Sequence, residues 1–256
     1  MTASEIAKEV RAALEHSRRI NLHRSPIDVH VENESVVLDG EVTSIEEKRL
    51  AIECAKTVRG VPRVDDHLHV RPATRVGDGT IRDAVCRHLM EEPAFLGLNI
   101  ACRLAGDADE VARRLDEPSG SIEADVAGGV ITLRGRVMSL AYKRLAAVLA
   151  WWAPGCRDVV NQIEINPAEA DNDGEIREAI ELVLNKDPIV HSDQVTCRVR
   201  DGHVVLRGLV ATNEEKRMVE RDVWYIEGVR DVVNEIAVYQ GPTGREPLPA
   251  SPPEFE

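Results

Sequence analysis

Aromatic residues are scarce in this 256-residue chain. Three Trp, three Tyr and two Phe make up 3% of it, so aliphatic side chains must build any core. Cysteine is scarce as well: the five present form no CxxC pair and no Cys/His metal spacing. That argues against a disulfide framework or a zinc site and for thiols in a reducing compartment. No apolar run approaches the ~20 residues that a membrane-spanning helix needs. The opening MTASEIAKEVRAALEHS has no basic stretch followed by an apolar one, so it is not expected to act as a secretory signal. As written the chain reads as cytoplasmic; it would be periplasmic if a leader had been trimmed. GxSxG, HExxH, GxxxxGK[ST] and GxGxxG do not occur. No catalytic residue, cofactor or metal is therefore expected, and the chain does not read as an enzyme.

Basic residues are outnumbered. The net charge is −13, distributed as −1 over residues 1–75, −4 over 76–170 and −8 over 171–256. A chain this acidic repels the phosphate backbone, which excludes general nucleic-acid binding, and it suits anionic membranes only where a local basic patch exists.

What the chain does have is internal repetition. Gly40, Gly135 and Gly208 anchor three similar segments. Eight residues after each glycine stands a Lys-Arg pair: Lys48-Arg49, Lys143-Arg144 and Lys216-Arg217. Twenty residues after each comes Gly60, Gly155 or Gly228, and thirty after each a strand-ending aliphatic, Val70, Ile165 or Val238. Upstream of each segment, Ile6/Val10/Leu14, Ile81/Val85/Leu89 and Ile176/Ile180/Leu184 repeat at the spacing of one helix face. Two period-2 runs follow, separated by Asn33-Glu34, Gly128-Gly129 or Asp201-Gly202, which are hairpin-turn signals, the first the weakest. A second helix, for which a glycine can serve as C-cap, and a short last strand complete an α-β-β-α-β unit. The fold class is thus α+β: three tandem repeats, each a three-stranded mixed sheet against two helices. The repeats cover residues 4–72, 78–167 and 173–240, followed by a Pro-rich tail, 241–256, expected to be disordered or extended. The second carries about 20 extra residues within 91–121, where ADEVARRLDEPSG predicts a short helix ending near Pro118.

The LxGxV strand, the helix and the GV..V.N.I.V segment resemble the BON family. The matching residues are Leu38-Gly40-Val42 with Gly60-Val61-Val64-Val70, and Leu133-Gly135-Val137 with Gly155-Val159-Asn161-Ile165. In the third copy they are Leu206-Gly208-Val210 with Gly228-Val229-Val232-Asn234-Val238. The first copy has Asp66 where the others have Asn, and the second has Cys156 where Val is expected. The resemblance implies a non-enzymatic, osmotic-stress-related bacterial module that binds phospholipid or cell-envelope components; the rival reading is a protein–protein scaffold or oligomeric structural protein.

Candidate contact residues fall into two groups. The cations are Arg18, Arg19 and Arg24 in the densest basic stretch, with Lys143, Arg144, Lys216 and Arg217 from the recurring pairs. Their structural role is to match the dipole and the acids of the second helix; their functional role is to meet lipid head groups or an acidic partner. The aromatics are Trp151 and Trp224, sixteen residues after their anchor glycines, with Trp152 and Tyr225 beside them. At 100° per residue they lie roughly opposite the expected core face of the helix. Membrane anchoring, contact between repeats and contact between subunits of a homo-oligomer are all open for them. His16, His23 and His30 cluster in the first repeat and His67 and His69 share a strand face; with no third ligand evident they read as surface polar residues.

Overall fold

The computed structural model describes residues 2–106 and 111–239; the tail 241–256 lies outside them. The chain divides into two compact units, residues 1–75 and 76–256. The first holds one repeat and the second holds two.

In the first unit, α1 (Ala3–His16) begins at a capping box in which the Thr2 hydroxyl accepts from Glu5 N while Glu5 reaches back to Thr2 N. It buries Val10 and Leu14. The hairpin β1 (Ile27–Glu32) and β2 (Ser35–Val42) is antiparallel, and β3 (Arg63–Val70) returns parallel to β2 after α2 (Ile45–Thr57). Leu38, Val42, Ala51, Ala55 and Leu68 join Val10 and Leu14 in one core.

The second unit repeats the order twice. Its first copy has α3 (Asp78–Glu91), β4 (Leu98–Leu104), β5 (Val111–Arg113), β6 (Gly120–Ala127), β7 (Val130–Val137), α4 (Leu140–Trp151), β8 (Asp158–Asn161) and β9 (Glu164–Ile165). Its second has α5 (Asp173–Leu184), β10 (Val195–Arg200), β11 (His203–Val210), α6 (Asn213–Tyr225), β12 (Asp231–Asn234) and β13 (Ala237–Val238). Both last strands are parallel to the second strand of the hairpin, as in the first unit.

The insert departs from the helical expectation. Residues 108–110 of the expected helix lie outside the described residues, but Val111–Arg113 is a strand. The insert widens the sheet to the order β5-β4-β6-β7-β8. Leu98, Ile100 and Cys102 alternate with half-exposed neighbours and are buried, so period-2 burial, not a 3.6-residue period, organises the segment. The last strand also differs: it is broken after Asn161 and Asn234, and continuous through Asp66. The two Asn side chains donate at 3.0 Å to the carbonyls of Lys143 and Lys216 on the helix above. Asp66 has no donor and takes an ion pair from Lys48 at 2.9 Å instead.

The anchor glycines have one physical reason. Gly40, Gly135 and Gly208 face Ile27, Ile122 and Val195 across the hairpin. A Cβ on them would stand 2.3, 2.2 and 2.1 Å from the carbonyl oxygens of Pro26, Ser121 and Gln194, and their φ values are +148°, +120° and +151°. No side chain fits such an approach.

Candidate functional site

Within the second unit, the two repeats meet along the helices that carry the tryptophans. The exposed fraction is 8% for Trp151 and 1% for Trp224. Trp151 stacks on Tyr225 with ring centroids 5.3 Å apart. Trp152 donates its Nε1–H to Asp222 Oδ1 at 3.0 Å. Arg144 lies in the same seam, 2% exposed; its Nε donates to the Glu227 carbonyl at 2.8 Å and its Nη2 to Asp171 at 2.7 Å. Lys186 reaches across to Glu92 at 2.8 Å. The helix LAYKRLAAVLAW is apolar almost all round because its own sheet covers one side and α5 packs on another.

Asp222 is buried in this seam, and its carboxyl is pushed up to about 7. Burial is the largest cause, and the nearby Asp187 carboxylate adds to it, while the Trp152 hydrogen bond opposes it. Burial likewise raises the Tyr225 hydroxyl to about 12.

The recurring lysines sit beneath their helices. Lys48 is 5% exposed and donates to the Leu68 carbonyl at 2.5 Å; Lys216 donates to the Ile236 carbonyl at 2.6 Å. Both carbonyls lie 28 residues after the anchor glycine, so the pattern ties the second helix to the last strand. Lys143 is half-buried, whereas Arg217 is exposed. In the basic stretch Arg18 and Arg24 are exposed, and Arg19 pairs with Glu46 at 2.9 Å.

Of the helix-start acids expected to match the dipole, Glu46-Glu47 and Glu214-Glu215, the second of each pair, seven residues after an anchor glycine, is buried. Glu47 accepts from Asn21 N at 2.9 Å, Ser25 Oγ at 2.5 Å, and Thr43 N and Oγ1 at 2.9 and 2.8 Å. Glu215 accepts from His191 N and Nδ1 at 3.0 and 2.8 Å and from Ala211 N at 3.0 Å. Burial alone would raise both acids, but these hydrogen bonds outweigh it and hold them below the usual carboxylate range. The signal available was a Glu at N3 after a Ser or Thr N-cap, Ser44 and Thr212.

On the outer face of the first unit's sheet, Asp39 lies 3.1 Å from His67 Nδ1 and 3.6 Å from His30 Nδ1. Among the described residues no group of three or more His, Cys, Asp or Glu is placed to hold a metal ion, and no helix is long and apolar enough to cross a membrane.

The chain matches the BON domain over residues 2–72, 107–167 and 172–240. It is 29% identical over 165 residues to osmotically-inducible protein Y of Escherichia coli, covering 64% of this chain and 73% of that protein. It is 39% identical over 62 residues to an uncharacterized protein of Anaplasma centrale, covering 23% of this chain and 41% of that protein. Among solved structures, the C-terminal domain of CdsD, the structural protein of the type III secretion system of Chlamydia trachomatis, aligns with 93% of this chain and 100% of that one. Identity there is 15% and the TM-score 0.24. Three matched segments, each carrying its glycine-anchored hairpin, place the chain in the BON domain family.

Proposed function

We propose that this chain is a non-enzymatic, stress-related binding protein of the cell envelope whose ligands are other proteins. One observation carries the choice of ligand: Trp151, Trp152 and Tyr225, aromatic groups suited to sit in a bilayer interface, join two repeats to each other, and Trp224 is buried. Arg144, Lys48 and Lys216 are taken up by main-chain carbonyls in the same way. The net charge of −13 adds repulsion from anionic lipid. Similarity to a protein named for osmotic induction supports the stress role.

A phospholipid surface is the second reading. Arg18 and Arg24 favour it, since both are exposed in the least acidic third of the chain. Co-sedimentation with phosphatidylglycerol-containing vesicles at physiological salt separates the two. The chain is expected to stay in the supernatant. Saturable pelleting that is lost in Arg18→Glu/Arg24→Glu would establish the lipid reading instead.

A further inference from the structure

The three repeats treat one edge of their sheets in three ways. β1, β6 and β10 are the equivalent first strands of the hairpins. In the first repeat the Arg11 guanidinium, on α1, donates to the Val29 carbonyl at 3.3 Å and so caps the edge strand. In the second, β4 pairs with β6 in parallel along its whole length, Leu98 with Gly120 through Leu104 with Val126, and β5 pairs with β4 in turn. In the third, no described strand pairs with β10 on that side. Counted from the anchor glycine, Cys197 takes the place of Val29; counted along the helix, Glu181 takes the place of Arg11. A carboxylate has no proton to donate to a strand carbonyl. A groove of about 340 Å³ runs beside this edge, lined by Asp173, Gly174, Arg177, Cys197, Arg198 and Val199.

We propose that the β10 edge is a docking site for an extended segment of a partner protein, one that alternates apolar and acidic side chains and pairs parallel to β10 as β4 pairs with β6. This deepens the protein-binding reading and rests on it. The chain itself shows which side chains such a segment needs. On β4, Leu98, Ile100 and Cys102 are buried, with α3 packed against the strand, and Arg103 on the other face pairs with Asp125 of β6, Nη2 to Oδ2 at 3.2 Å. In β10 the residue at the Asp125 position is Arg198, and the one at the Ala127 position is Arg200. The sign of the pairing is reversed, so a carboxylate belongs where β4 carries Arg103. The apolar positions would cover Cys197, whose thiol is already pushed up to about 12, mainly by burial and then by the Glu181 charge. Main-chain pairing gives such a segment its affinity and the alternating side chains its specificity. The chain's own Pro-rich tail suits the site poorly, because proline has no N–H for the ladder.

The test is a titration of the isotope-labelled full chain with two synthetic peptides, followed by amide chemical shifts. Both carry the sequence of residues 98–104 with Cys102→Ala; one also carries Arg103→Glu. The Glu peptide is expected to shift the amides of Val195–Arg200 and the first turn of α5, and to bind roughly tenfold tighter than the Arg peptide. Arg198→Glu should invert that preference, with the rest of the spectrum unchanged as evidence of folding. N-methylation of alternate peptide nitrogens should abolish binding. No shifts at about 1 mM peptide, shifts confined to other elements, or a preference that ignores Arg198→Glu would overturn the site. Peptide failure in a chain that also ignores vesicles removes this site alone, whereas vesicle pelleting removes the reading on which it rests.

Discussion

Trp151 and Tyr225 stack face to face, their ring planes 11° from parallel, one at the end of α4 and the other at the end of α6. The contact joins two repeats that belong to one compact unit. Trp151→Ala and Tyr225→Ala should each lower the stability of residues 76–256 by about 2–4 kcal/mol. A double-mutant cycle in chemical denaturation should return a coupling of about 0.5–1.5 kcal/mol, and strict additivity would contradict the stacking. All three tryptophans lie in this unit, so Trp fluorescence reports its unfolding alone.

Asp222 makes the same unit weaker in alkali. Its folded value is raised from 3.8 to about 7, so the folded state binds the proton more tightly than the unfolded state. The benefit is complete below about 3.8, falls as pH rises through the window to about 7, and is gone above it. Asp222→Asn keeps an acceptor for Trp152 and removes the charge. It should raise the melting temperature more at about pH 8 than at about pH 5, by the equivalent of about 1–3 kcal/mol at the higher pH. An equal change at both would show that the carboxyl does not titrate in this window.

Glu47 and Glu215 carry the opposite sign. Both are held below their ordinary range, so their contribution is present above about 4.5 and is lost as pH falls through the lower folded values. Glu47→Gln in the first unit, or Glu215→Gln in the second, should cost about 1–3 kcal/mol at neutral pH and flatten the acid limb of the stability profile. Urea denaturation of each variant across the acid range checks this, and an unchanged acid limb would show that the buried hydrogen bonds are not the cause.

The hairpin turns give a stabilising change. Asn33 and Glu34 have φ of +46° and +67°, in the same left-handed region as Gly128-Gly129 and Asp201-Gly202. Glu34 alone among these second turn positions is not glycine. Glu34→Gly should stabilise residues 1–75 by about 0.5–1 kcal/mol. Gly208→Ala, where a Cβ meets a carbonyl oxygen, should instead destabilise by about 1–3 kcal/mol. Thermal melts decide both, and a gain at Gly208 would contradict the close approach there.

The parts of the fold set by local chemistry were legible in the sequence. Gly40, Gly135 and Gly208 mark the hairpins because only glycine tolerates the facing carbonyl, and the first helix of each repeat follows from its apolar spacing. The insert was not legible. A charged stretch with helix-forming residues masked Leu98, Ile100 and Cys102, whose burial comes from pairing with β6, a tertiary event. The aromatic positions read as an interface, but which surface they met depended on how α4 and α6 approach each other, and that is not written in either helix alone. The Lys-Arg pairs looked like surface charge because a lysine's reach is invisible in sequence. Lys48 and Lys216 extend beneath the helix to the last strand, and Arg144 turns into the seam.

Intrinsic Trp emission of the full chain, recorded with acrylamide and again with anionic vesicles, tests most directly whether the tryptophans face inward. Blue-shifted emission that acrylamide quenches weakly and vesicles leave unchanged is the expected result. Red-shifted, readily quenched emission that moves to the blue when vesicles are added would contradict it.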